Sequence, residues 1–277
     1  MSAARRQLGI AQLSLLQSSP PELVSLAAAA GFDFIGARVR PVTAAERPFN
    51  VQPGSPMLAE TLARMADTGV RVHDIEFLLL DGSDQRGAWL AMMEAGQALG
   101  AASLTVAASD PDRSRLADTL AQMTADGQAY GIMPTLEPIS YQAVNSIPAA
   151  AELARHAGCR IVVDALHVRR FGGTPEQIAL NADLVPLLQL CDGPVQRPAD
   201  GPGLVTESRS ERGVPGSGGF RLAELVASLP ASVPVSVETP SDSTVARIGG
   251  LAWAKQLRAA AVDVLEAAAA FPAAPEL

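Results

Sequence analysis

Four apolar runs between residues 133 and 238 each finish on a side chain that carries oxygen. "MPTLEP" reaches Glu137 and a proline follows at once; "RIVVDAL" reaches Asp164. "VPLLQLCD" reaches Gln189, and "VPVSVETP" reaches Glu238. A buried carboxylate is costly unless it is paired, protonated or bound to a cation. If these four ends meet, the three carboxylates must hold protons at raised pKa values or share an ion. Carboxylate and amide oxygens, with no thiolate or imidazole in the set, favour Mg²⁺ or Mn²⁺ over zinc or copper. Beside a substrate carbonyl such an ion acts as a Lewis acid and eases removal of the neighbouring proton. Returning that proton to the same carbon from the other face is epimerisation. Returning it to the adjacent carbon is isomerisation, and losing a β-hydroxyl instead is dehydration.

The elements that must position these residues are legible as a repeating unit. Strand-like apolar runs alternate with alanine-rich amphipathic stretches, eight of each, in strict order. "QLGIAQLSLL" precedes "PPELVSLAAAAGF", "FDFIGARVR" precedes "SPMLAETLARMADTG", and the pattern continues to "VPVSVETP" and the final helical run. Pro21 near a helix start, Ser55 as a cap, and Gly31 and Gly69 just past helix ends mark the boundaries. Strict alternation predicts a parallel sheet, since parallel neighbours need a helical crossover. Eight units of about thirty residues predict an α/β fold, a (β/α)₈ TIM barrel in which residues 1–277 form a single domain. In that architecture the C-terminal strand ends carry the chemistry, and strands five to eight are neighbours. Residues 193–217, after the seventh strand, exceed the roughly 12–15 residues usual for an irregular connection, so a lid or binding segment is expected. The tail "FPAAPEL" is read as the frayed end of a docked helix or as an oligomer contact.

The chain resembles the xylose isomerase-like TIM-barrel superfamily of sugar-phosphate isomerases and epimerases. The resemblance spans nearly the whole sequence. It rests on "LEP" at Glu137, "VVDALH" with Asp164 and His167, "QLCD" with Gln189 and Asp192, "RGVPGSG" from Arg212 to Gly218, and "VSVET" at Glu238. It implies that Glu137, Asp164 and Glu238 bind the metal, with Glu137 and Glu238 also moving protons. It implies that His167 and Arg212 contact substrate. Gln189 stands where the ketose 3-epimerases of this group carry histidine. A Glu, Asp, Gln, Glu set is similar to that of the metal-dependent 3-dehydroshikimate dehydratases of the same superfamily. The expected partner is a small sugar, keto-polyol or related hydroxy-ketone. A non-catalytic sugar-binding barrel is the alternative of another class.

Arg38 and Arg40 share a face near the end of strand two and are candidates for a substrate phosphate or carboxylate. His73 and Glu76, three apart on the third strand, fall on opposite faces of a regular strand, so at most one points inward unless the strand bends. Asp192 is expected to orient Arg212 or cap the loop, and His156 to face solvent from a helix. The composition excludes several classes. The net charge of −8, with Lys255 as the single lysine, disfavours a nucleic-acid partner. Three scattered histidines cannot build the histidine-rich zinc site of an endonuclease on this barrel. Cys159 and Cys191 sit in apolar runs and read as buried thiols. The N-terminal apolar run is broken by Gln12, Ser14 and Gln17 and reads as a strand rather than a secretory leader. No run reaches the roughly 20 apolar residues of a membrane span. A cytoplasmic protein, monomeric or homo-oligomeric, is expected.

Overall fold

The computed structural model describes residues 5–44 and 46–272. Its strands are β1 (Leu8–Ala11), β2 (Phe34–Arg38), β3 (Arg71–Leu80), β4 (Ser103–Ala108), β5 (Met133–Leu136), β6 (Arg160–Asp164), β7 (Leu187–Leu190) and β8 (Val235–Val237). They close a barrel in sequence order, every neighbouring pair parallel, with β8 returning to β1. The first five helices are α1 (Pro20–Ala30), α2 (Pro56–Thr68), α3 (Arg86–Leu99), α4 (Arg113–Gln128) and α5 (Ile147–Ala157). The rest are α6 (Ala165–Phe171), α7 (Pro175–Ala179), α8 (Gly201–Ser210), α9 (Leu222–Ala227), α10 (Asp242–Ile248) and α11 (Gly250–Ala268).

Local chemistry sets the boundaries. Ser55 accepts the backbone N–H of Leu58, and Gly31 and Gly69 close their helices with φ of 88° and 75°, a region open chiefly to glycine. Between the strands and the outer helices lies one continuous apolar core that includes Leu23, Trp89, Met93 and Trp253. Inside the barrel, Phe34, Val162 and Leu187 form a separate small cluster; Phe34 and Leu187 begin their strands, so it closes the N-terminal end. Above it the lining turns polar: the Thr105 and Thr135 hydroxyls lie 3.3 Å apart, and Asp74, Glu76, Gln189 and Ser236 are buried.

Four readings of the sequence are refined. The first strand is short, because Gln12 opens a 3₁₀ turn (Gln12–Leu15) and uses its side chain on the Arg38 N–H and the Ser18 carbonyl. Strand six stops at Asp164, whose carboxylate caps α6 directly. The last helical run breaks at Gly249, with φ of 82°. The 193–217 segment contains the ten-residue α8 and is pinned at its base. There Asp192 pairs with Gly213 across the backbone, and its carboxylate accepts the N–H groups of Gly193, Gly216 and Phe220. A Cβ on Gly218 would run into the Gly193 carbonyl oxygen and the Asp192 carboxylate, which explains that glycine. The end of the tail, residues 273–277, lies outside the described residues. No helix among the described residues is long and apolar enough to cross a membrane.

Candidate metal centre

The C-terminal ends of β5 to β8 bring the predicted quartet together. Glu137 directly follows β5, Asp164 ends β6, Gln189 lies on β7 and Glu238 directly follows β8. One carboxylate oxygen from each of Glu137, Asp164 and Glu238 lies within 4.8 Å of the others, and all three side chains are buried. Gln189 pairs with Asp164 across β6–β7, and its Nε2 donates to Glu238 Oε1 at 3.2 Å. Its Oε1 is buried with no hydrogen-bond partner. Three convergent carboxylates beside an unsatisfied amide oxygen form a hard-oxygen donor set, so the residues fit a divalent ion.

Burial drives the electrostatics. It pushes the Glu137 carboxyl well above the usual range, and the nearby Glu238 and Asp164 carboxylates push it further. Burial also raises Glu238, to about 8, with Arg212 opposing and Asp164 and Glu76 reinforcing. For Asp164 burial acts in the same direction but is overridden. The Arg212 guanidinium, His167 and the capping N–H groups hold its carboxyl below the usual range.

Arg212 is itself buried. Its Nη1 donates to Asp164 Oδ2 at 2.5 Å and to the Glu238 carbonyl at 3.2 Å, and its Nη2 lies 2.9 Å from Glu238 Oε2. His167, on α6, is buried beside Glu137, with Nε2 3.7 Å from Glu137 Oε1. Its Nδ1 is 3.2 Å from the Ser140 hydroxyl, and Tyr141 packs edge-on against its ring. Burial lowers the His167 pKa to about 4, so the ring is neutral at ordinary pH. A cavity of about 280 Å³ opens over this group, a volume suited to a small molecule. Arg38, Arg212, His167 and Glu137 supply polar lining, and Leu13, Leu16, Phe77, Leu79 and Ile139 an apolar wall.

The structure separates the other candidates. Arg38 lines the cavity, held by Glu46 at 3.0 Å and by Glu76 at 3.4 Å. Glu76 points inward beneath Arg38. Arg40 is exposed and outside the cavity, because β2 ends at Arg38 and strand alternation no longer sets direction there. His73 is also away from the site. Ile35 pairs with Val72 but Gly36 pairs with Asp74, so His73 is the extra residue of a bulge. Its ring packs against Phe34 at a tilt of 41°, with centroids 4.9 Å apart, at the opposite end of the barrel. One residue missed is Asp74, which shares the inward face with Glu76; the Asp-x-Glu spacing in "HDIEF" was the available signal. Ser140 and Tyr141 were missed as well, although they follow Glu137 closely. Asp192 caps the loop, and His156 is exposed, as expected.

A closed parallel barrel with an acidic, buried centre at its C-terminal mouth defines the class of protein. A profile of the xylose isomerase-like TIM barrel family matches residues 24–267, and the chain belongs to that family. No curated protein matches the sequence. Among solved structures, a xylose isomerase-like TIM barrel/4-hydroxyphenylpyruvate dioxygenase fusion protein superposes with a TM-score of 0.81 at 22% identity over 96% of this chain. The chain spans 43% of that fusion protein's length. An L-ribulose 3-epimerase gives 0.72 at 17% identity, with 96% of each chain covered. The probable 3-DHS dehydratase AsbF of Bacillus anthracis gives 0.71 at 12%, over 91% of this chain and 98% of that one. At these identities the likeness is one of fold.

Proposed function

We propose that this chain is a divalent-metal-dependent isomerase or epimerase of a small sugar, phosphorylated or not, or a related hydroxy-ketone. The observation that carries the reading is the placement of Glu137 and Glu238. They come from β5 and β8, three strands apart around the ring, yet offer oxygens to one buried centre. A substrate carbon between them would meet a carboxyl group on each face, as two-sided proton transfer requires. Glu137, Asp164, Glu238 and Gln189 Oε1 would hold Mn²⁺ or Mg²⁺. When bound, that ion supplies Lewis-acid polarisation of the substrate carbonyl. Glu137 removes the proton next to the carbonyl, and Glu238 returns one from the other side. His167, fixed by Ser140 and neutral, hydrogen-bonds a substrate hydroxyl. Arg212 and Arg38 contact substrate oxygens, the apolar wall limits water, and the α8 segment serves as the lid.

A second reading, a lyase of the 3-dehydroshikimate dehydratase type, is favoured by the donor set itself: Gln189 pairs with Asp164 across β6–β7 and reaches Glu238, standing where the ketose 3-epimerases carry histidine.

Incubation of the Mn²⁺-loaded protein with ketoses in D₂O, followed by NMR, tests the first reading. Deuterium should enter one carbon as a new epimer or isomer appears. Glu137→Gln and Glu238→Gln should each lower turnover by about 10²–10⁴-fold, the usual worth of acid–base help. No exchange with ketoses, together with 3-dehydroshikimate consumption seen in the ultraviolet, selects the lyase. Inertness in both assays rejects both readings.

A further inference from the structure

Arg212 stands on the atoms that an ion would need. Every carboxylate oxygen of Asp164 and Glu238 has a partner. Asp164 Oδ1 accepts the backbone N–H groups of Leu166 at 2.7 Å and His167 at 3.2 Å, and its Oδ2 accepts Arg212 Nη1. Glu238 Oε2 pairs with Arg212 Nη2, and its Oε1 accepts Gln189 Nε2. A divalent ion placed among these oxygens would share two carboxylates with a guanidinium already in contact with them, and two cations that close repel strongly in a buried site. We propose that Arg212 is a displaceable internal counter-cation: its ion pairs with Asp164 and Glu238 and the binding of a divalent ion exclude each other. The inference rests on the metal reading above and concerns what the chain does before the ion arrives.

Two further observations support exchange over permanent occupancy. Gln189 turns its NH₂ toward Glu238 and leaves Oε1 buried without a partner. Half a turn of that amide would present the oxygen to the carboxylate centre, as an ion requires. Arg212 also has a route out, because it closely follows α8. Its Nε donates to the Ser208 carbonyl at 2.8 Å, and the Ser208 hydroxyl accepts from Tyr141 at 3.1 Å. Arg212, Ser208, Arg209 and Tyr141 all line the cavity, so a released guanidinium swings into the space where substrate would lie. Loading the ion would thereby deliver a charged donor to the substrate, which orders metal before substrate.

The experiment uses the full chain, stripped of metal, with Mn²⁺ as the probe and no substrate. Calorimetric titration compares wild type with Arg212→Gln and Arg212→Lys. Arg212→Gln should bind Mn²⁺ at least tenfold more tightly. Arg212→Lys, whose single ammonium cannot bridge both carboxylates, should fall between. In wild type, hydrogen–deuterium exchange across residues 205–213 should rise on adding Mn²⁺, since the Ser208 anchor is lost, and this rise should be absent in Arg212→Gln. Equal or weaker binding by Arg212→Gln overturns the inference, as does unchanged exchange in wild type while Mn²⁺ binds. If Arg212→Gln does not fold, Arg212→Lys decides by the same criterion. No Mn²⁺ binding by any of the folded proteins removes the inference together with the metal reading.

Discussion

Asp74 has both carboxylate oxygens buried, with no well-formed hydrogen bond and only a weak contact from Thr105. Burial raises its pKa well above the usual carboxylate range, and the Glu76 and Glu238 charges add to the shift. A carboxyl raised in the fold binds its proton more tightly folded than unfolded. Its contribution to stability is therefore complete below the unfolded pKa. It is lost as pH rises, at about 1.4 kcal/mol per pH unit, until the group ionises in the folded protein. Asp74→Asn should remove that slope, so urea unfolding at pH 5 and pH 8 should show a smaller difference for the variant than for wild type. Equal differences would mean that Asp74 does not carry an elevated pKa. Gly36 belongs to the same small space. A Cβ there would run into Glu76 Oε1 and stand 3.0 Å from Asp74 Oδ1. Gly36→Ala should cost roughly 1–3 kcal/mol by overpacking, read as a lower denaturant midpoint.

At the scale of elements, the α8 segment depends on a buried ion pair. Arg170 on α6 donates Nε to Glu207 Oε2 at 2.7 Å and Nη2 to the Pro194 carbonyl, and its guanidinium lies 4.8 Å from the Phe220 ring centre. Removing one partner of such a pair strands the other, at a cost of about 3–5 kcal/mol. Glu207→Leu alone should lower the melting temperature and loosen α8, seen as faster hydrogen exchange across residues 201–210. Replacing both partners with apolar residues, Arg170→Met with Glu207→Leu, should recover much of the stability. A double variant no more stable than the single one would show that the pair contributes through other contacts. Strand β3 is the other element that decides the site. Its first bulge turns His73 away and sets Asp74 and Glu76 inward. A second register shift, between Glu76 and Leu78, passes the site-facing role to Phe77 and Leu79, which line the cavity.

For the whole molecule, an ion held at the acidic mouth would make folding and ion binding one equilibrium. A ligand present at one hundred times its dissociation constant adds about 2.7 kcal/mol of stability. Mn²⁺ or Mg²⁺ should therefore raise the melting temperature of the metal-free protein, EDTA should reverse the gain, and Glu137→Gln should show little of it. A wild-type melting curve indifferent to both ions would count against the metal centre. The sequence by itself determined the barrel and the four oxygen-bearing strand ends, because alternation, helix caps and strand boundaries depend on neighbours along the chain. Glu137, Asp164, Gln189 and Glu238 were legible for that reason. Only the tertiary structure decided which inward positions β3 presents, that Arg40 falls outside the cavity, and that Arg212 lies on Asp164 and Glu238. A bulge is fixed by register against the next strand, and an ion pair across 48 residues is fixed by where a loop returns. Neither leaves a periodic trace in the residues that form it.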